Sequence, residues 1–327
     1  MANIPSGSDS FLILGKETTW GTIAGAGTGR KLAISGEDLD GPEELIKSDS
    51  FSGDANSRDS VLGDVDAGGS FSHNVTLESA PLLANALNGL VATTGAGDPY
   101  THTSKVVAGN VASYSAEVYL ANDTPQYKQL VGCRVNTLGF EIAHKGFFKW
   151  QIGLLGKSAA LATASFATSP DDWTAVTELH HRMLAAADVK LDTAAFAQLR
   201  SLKCDASNQL DGDVRVVGGA GVRGQISRGV QTLSGTCEVY FDAPASVFNK
   251  TVSGTYVAFD FMWRTGVANR TMNLVLPRVK LGRAFPKASG GKALVLSVPW
   301  EASYDPTEAS QIKIVVVNGI VGTKYSA

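Results

Sequence analysis

The sequence predicts a mostly β fold laid out twice along the chain, and three observations carry that expectation. Strand-forming runs with period-two alternation recur through both halves. Each half holds a strand that leads into an Ala-Pro step and a short helical segment: Ser70–Leu77 before Ala80-Pro81 and Leu82–Leu87, then Thr232–Val239 before Ala243-Pro244 and Ala245–Phe248. Each half also opens a long hairpin with an Arg-Val pair, Arg134-Val135 and Arg278-Val279.

Taken in order, Gly15–Gly29 is rich in Gly and Thr and reads as an extended arm, and Lys31–Ser35 as a short strand. Glu37–Asp66 reads as a long polar loop carrying Glu37, Asp38, Asp40, Glu43, Glu44, Asp49, Asp64 and Asp66. A structureless loop of that length within a compact domain usually serves a function, here contact with a neighbour. Ser70–Glu78 and Ser113–Ala121 read as strands, with a helix from Pro81 to Leu87 between them; Pro suits a first turn, where its missing amide costs no bond. Gln129–Leu155 gives the strongest strand signal of the first half. Val131, Cys133, Val135 and Thr137 alternate with polar neighbours, Phe140 and Ile142 follow, and after a Lys145-Gly146 turn come Phe148, Trp150, Ile152 and Leu154. Residues 159–173 are small and Ser/Thr-rich and read as a linker, which divides the chain into domains 1–160 and 161–327.

In the second half Ala187–Leu191, Ser201–Ala206, Leu233–Phe241, Val257–Trp263, Asn273–Leu281, Ala293–Glu301 and Gln311–Val317 read as strands. The Gly-rich Asp211–Gln231 connection occupies the place of the first half's polar loop. Ile312–Val317 is strongly β-prone, and as an open edge it would invite aggregation, so it is expected to be paired.

Composition narrows the function. The chain has 327 residues, 44% hydrophobic and 18% charged, with 35 Gly and a net charge of −3. That excludes a disordered chain and disfavours a nucleic-acid binder, which needs Lys and Arg against phosphates. No basic-then-apolar leader and no run of about 18 apolar residues is visible, so neither secretion nor a membrane span is expected. Three widely spaced cysteines, Cys133, Cys204 and Cys237, read as buried free thiols.

Motifs for chemistry are weak. Gly153–Ser158 lacks the four-residue spacing of a Walker loop, and Gly219–Gly224 fits a dinucleotide fingerprint but no helix follows it. His180 and His181 are adjacent and so point apart, and the acidic loop lacks EF-hand spacing. No catalytic residue, cofactor or metal ligand is assigned, and no enzyme is expected.

Several segments together resemble the major tail tube proteins of long-tailed, siphovirus-type bacteriophages. They are Leu14–Thr22, Ser70–Leu77 with its Ala-Pro helix, Tyr127–Val135, Trp150–Gly156 and Ser207–Asp211. The resemblance implies a β-sandwich or barrel tube domain flanked by a short helix, present twice. It implies rings of three chains, pseudo-hexameric, stacked into a hollow tube around a tape-measure protein, with terminator and baseplate or distal tail proteins at the ends. DNA would cross the lumen without specific binding. The tail would be assembled in the host cytoplasm and retained in the virion. The acidic residues named above are the candidate inter-ring contacts, and polar positions of the Gln129–Gln151 and Asn273–Glu301 hairpins the candidate lumen lining. A phage receptor-binding or head-decoration β-sandwich is the alternative.

Overall fold

A computed structural model describes residues 7–27, 29–50, 53–54, 56–89, 91–121, 124–174, 176–241, 247–286 and 293–326. The chain is mostly β, as the sequence predicts. In the first half the strands are β1 (Leu12–Lys16), β2 (Gly29–Leu32), β3 (Gly36–Glu37), β4 (Glu43–Lys47), β5 (Ser60–Val65) and β6 (Gly68–Asn74). Helix α1 (Ser79–Asn88) follows, then β7 (Val91–Thr94), β8 (Tyr100–Lys105), β9 (Tyr114–Leu120), β10 (Gln126–Ala143), β11 (Lys149–Leu155) and β12 (Ser158–Ala162). The remainder runs through β13 (Asp171–Asp172), β14 (Leu184–Leu191), β15 (Ala194–Ala195), β16 (Leu199–Ser207) and β17 (Thr232–Tyr240). Helix α2 (Phe248–Ser253), β18 (Tyr256–Arg264), β19 (Thr271–Leu281), β20 (Val295–Ala302), β21 (Lys313–Asn318) and α3 (Thr323–Ser326) complete it.

Helix α1 is set by local chemistry. Thr76 and Ser79 exchange side-chain-to-backbone hydrogen bonds at its entry, each hydroxyl accepting the other's amide at 3.0–3.1 Å. Gly89, at φ 90°, closes it by donating its amide to Asn85 O. All ten side chains of α1 are buried, so packing rather than propensity holds it. The Ala243-Pro244 step of the second half lies outside the described residues.

Apart from the short parallel pairing of β13 with β2, the two halves pair their strands antiparallel and in the same order. In the first half β2–β1–β9–β10 form one run; β12 takes the other edge of β10's beginning, and β10–β11–β6–β3 continue from its end. In the second, β15–β14–β18–β19 form the run; β21 takes the other edge of β19's beginning, and β19–β20–β17–β16 continue from its end. Trp150 of β11 and Trp300 of β20 sit at matching positions, each paired one residue beyond the serine of β6 or β17, Ser72 or Ser234. Helices α1 and α2 follow β6 and β17 in turn.

The halves are stitched to each other. Thr137–Ala143 of β10 pair with Ser201–Ser207 of β16, and β8 pairs along β21. Phe148 stacks on Trp263 with ring centroids 4.4 Å apart, inside one core cluster that draws residues from both halves. The β21 pairing satisfies the β-prone Ile312–Val317 run on both edges, through β19 and β8.

Three expectations change. The Glu37–Asp66 loop contains a two-stranded sheet, β4 with β5, in which the β-prone pairs Leu45-Ile46 and Val61-Leu62 face each other across the strands. Residues 159–173 begin as strand β12, bonded to Tyr127–Val131, so that part is sheet and not tether. The Gly15–Gly29 arm starts inside strand β1, whose residues 12–14 are buried against β9.

Candidate assembly surface

The hairpin β4–β5 is the most exposed ordered element of the first half. Every residue of β4 is exposed, and the cross-strand pairs Leu45–Leu62 and Ile46–Val61 carry four large apolar side chains that are 51–66% exposed. Apolar side chains clustered this way on a projecting ribbon mark a contact surface, because a free surface gains nothing by ordering them in water. The acidic residues around them were visible in the sequence; the four apolar ones were hidden among polar neighbours, and their pairwise recurrence was the available signal.

The base of the hairpin is clamped to the Gly-rich segment 211–231. Arg223, buried, donates Nε to Gly212 O at 2.8 Å and Nη1 to both Ala67 O and Gly156 O at 2.7 Å. Its Nη2 meets Asp66 Oδ1 at 3.0 Å. Arg215 joins from the outside, with Nη2 2.6 Å from Asp66 Oδ1 and Nε 3.3 Å from Asp64 Oδ2. Val65 donates its amide to Gly221 O at 2.9 Å. Burial lowers the Arg223 pKa below the usual guanidinium value, and the facing Asp66 opposes that shift. Segment 211–231 lies between β16 and β17 as the hairpin lies between β3 and β6, so the two are counterparts that grip each other.

The acidic residues singled out in the sequence therefore divide. Asp64 and Asp66 serve the clamp, and Glu37 takes Lys128 Nζ at 2.9 Å and the Leu39 amide at 2.8 Å. Asp38 accepts the Ser70 amide, and Asp40 that of Gly41. Glu43, Glu44 and Asp49 are exposed on the projecting element.

A second surface is the outer face of the eight-strand run β3–β6–β11–β10–β16–β17–β20–β19. One face of it packs into the core through Phe71, Ile152, Phe140, Cys204, Leu233 and Val298. The other is polar, with Ser70, Ser72, Gln151, Lys149, Glu141, Lys203, Asp205, Ser234, Thr236 and Glu301 alternating to that side. Three hollows lie along this polar face, across β6–β11–β10, β10–β16 and β17–β20. Acidic and basic side chains are interspersed on it, as in the pair Lys203–Asp205 at 3.7 Å.

The residues with catalytic overtones take structural places. His180 bridges to Phe147 and His181 contacts Gly146. Gly153–Leu155 end strand β11, and Gly219–Gly224 form turns against the hairpin base. Cys133, Cys204 and Cys237 are buried thiols, and burial raises all three pKa values, that of Cys237 to about 12. Among the described residues no group of three or more His, Cys, Asp or Glu is placed to hold a metal ion, and no helix is long and apolar enough to cross a membrane.

The family model described as "Phage tail tube protein" matches residues 7–302. The chain belongs to the phage tail tube protein family. The match runs through both halves, including the hairpin, its clamp and the whole eight-strand run, so the tail tube assignment rests on the same segments that build these surfaces. A search of curated proteins found no match to this chain. As a tail tube protein it is a structural component of the virion tail whose copies self-assemble into a tube.

Proposed function

We propose that this protein is the major subunit of a siphovirus-type tail tube, that three copies close into a pseudo-hexameric ring, and that rings stack into a hollow tube conducting DNA during genome ejection. The observation that carries the ring is the strand diagram repeated twice per chain. A unit that supports a six-part ring singly supports it in three copies when duplicated, with domains 1–160 and 161–327 as the paired units. The hollowed polar face of the eight-strand run is the natural lumen lining, and it includes polar positions of the Gln129–Gln151 and Asn273–Glu301 hairpins. Its interspersed charges and the net charge of −3 suit a wall that DNA slides past, since clustered cations would hold phosphates.

Stacking falls to the β4–β5 hairpin. Leu45, Ile46, Val61 and Leu62 supply its apolar contact, and Glu43, Glu44 and Asp49 the charged rim; Glu37, Asp38, Asp40, Asp64 and Asp66 shape its base. The tube would enclose a tape-measure protein and meet terminator and baseplate or distal tail proteins at its ends, after assembly in the host cytoplasm. The role is structural and needs neither catalysis nor a cofactor.

Native mass spectrometry with negative-stain microscopy tests this reading. Rings of three 34.2 kDa chains, and tubes grown from them, are the expected species. A protein that stays monomeric across concentration and salt, or rings of six chains, would overturn it.

A further inference from the structure

The seam inside the chain specifies the seam between chains. Within one chain the halves join where the end of β10 pairs with β16, Phe140 opposite Cys204 and Ile142 opposite Leu202. Each of these two strands has a counterpart in the other half, and among the described residues neither counterpart has a strand on the matching side. Among the described residues β3 pairs only with β6. Strand β19 is accompanied by β18 as far as Lys280, and beyond Leu281 β20 is its one strand partner among the described residues, with the Gly282 amide on Pro299 O at 2.7 Å.

The register follows from the pairings. Phe140 faces Trp150 and Leu281 faces Trp300, so Leu281 corresponds to Phe140. Gly36 faces Ser72 and Asp205 faces Ser234, so Gly36 corresponds to Asp205 and Ser35 to Cys204. We propose that Leu281–Phe285 of one chain pair antiparallel with Ala33–Ser35 of the next copy, Leu281 opposite Ser35 and Arg283 opposite Ala33, continuing the eight-strand run from chain to chain. This rests on the ring reading above and adds its contact residues.

The isolated chain carries the marks of a missing neighbour at both ends. Thr137–Phe140 have β11 on one side and β16 on the other, and Glu141–Ala143 stay in the strand on β16 alone, whereas their counterparts after Leu281, without such a partner, leave the strand. Ser35 is exposed although its counterpart Cys204 is fully buried, and Phe285 is 61% exposed. Unpaired backbone on an edge is a template for a further strand, and a second copy presents the complementary edge by construction.

The test is a full-length Ala33→Cys/Arg283→Cys variant, oxidised after assembly and run on a non-reducing gel. The native thiols are buried and stay silent. Covalent dimers and trimers, absent from either single variant, are expected. Should the variant fold poorly, hydrogen exchange on the unmodified protein decides. Amides of 33–35 and 281–285 are expected to slow by at least about tenfold between monomer and assembly. Rings or tubes with neither cross-link nor protection at these residues would overturn the seam while leaving the tube reading intact. Cross-links confined within one chain would also overturn it. Failure of the unmodified protein to assemble would instead remove the reading beneath it.

Discussion

Arg223→Met isolates the clamp that fixes the hairpin, because Met keeps the apolar stem and removes only the guanidinium. Four hydrogen bonds of 2.7–3.0 Å disappear, three of them to backbone carbonyls on three separate segments. Bonds from a charged donor contribute about 1.5–3 kcal/mol each before the desolvation of the guanidinium is set against them. Breaking a buried pair by deleting one member costs about 3–5 kcal/mol. Asp66, however, is 64% exposed at its side chain and regains water once released, and Ala67 O keeps the Gly156 amide. The expected loss is therefore about 2–4 kcal/mol, below the fully buried figure. Arg215→Met is the comparison: Arg215 donates to Gly221 O and Val65 O, but it lies nearer solvent and its partners Asp64 and Asp66 are more than half exposed, so a smaller loss of about 1–2 kcal/mol is expected. Equilibrium urea denaturation followed by tryptophan fluorescence, at a concentration where light scattering shows only monomer, reads both values. If Arg223→Met lies within about 0.5 kcal/mol of the parent, or the two variants cost the same, burial does not make Arg223 the clamp's centre.

Two further outcomes follow from the same geometry. Leu45→Lys with Leu62→Glu should leave stability within about 0.5 kcal/mol of the parent, since both sites are exposed, while tube length seen by negative stain collapses to single rings; tubes of parental length would remove the hairpin from stacking. Stability should fall as pH drops from 7.5 to 6.0. Burial lowers the pKa of His73, held between Ala33 O and Ser79 Oγ, and of His102, held between Asn318 and Thr93. The unfolded chain then takes up protons near pH 6.5 that the folded chain refuses, which favours unfolding. A denaturation midpoint that is flat or rises over that window would contradict the assignment of two buried neutral imidazoles.

How much was legible varied with what each residue answers to. The long hairpin was readable to within a few residues, because Val131 to Leu154 alternate against a single buried face and Gly146, at φ 101°, marks the turn. So were β14, β16 to β21 and helix α1. Helix-length and strand-length runs failed where tertiary context overrode composition. Ser158–Ala162 looks like linker because its residues are small, yet β10 needs an edge partner there and takes it. Gly15 and Lys16 read as the start of an arm because the glycine and the Thr-rich stretch beyond mask the end of the short buried strand Leu12–Lys16. Of the candidate surface, the acidic residues were visible one by one, but their sorting into clamp and exposed rim was not. That sorting depends on Arg215 and Arg223, about 150 residues away in sequence, and no local pattern ties such distant charges together.

Two stretches at matching places in the strand order have different tasks. The stretch between β3 and β6 carries an apolar-tipped arm, whereas the stretch between β16 and β17 forms a glycine-lined cuff that holds the arm's root. Here the division of labour is written into one polypeptide, so each arm is gripped by the cuff of its own chain before any neighbour arrives.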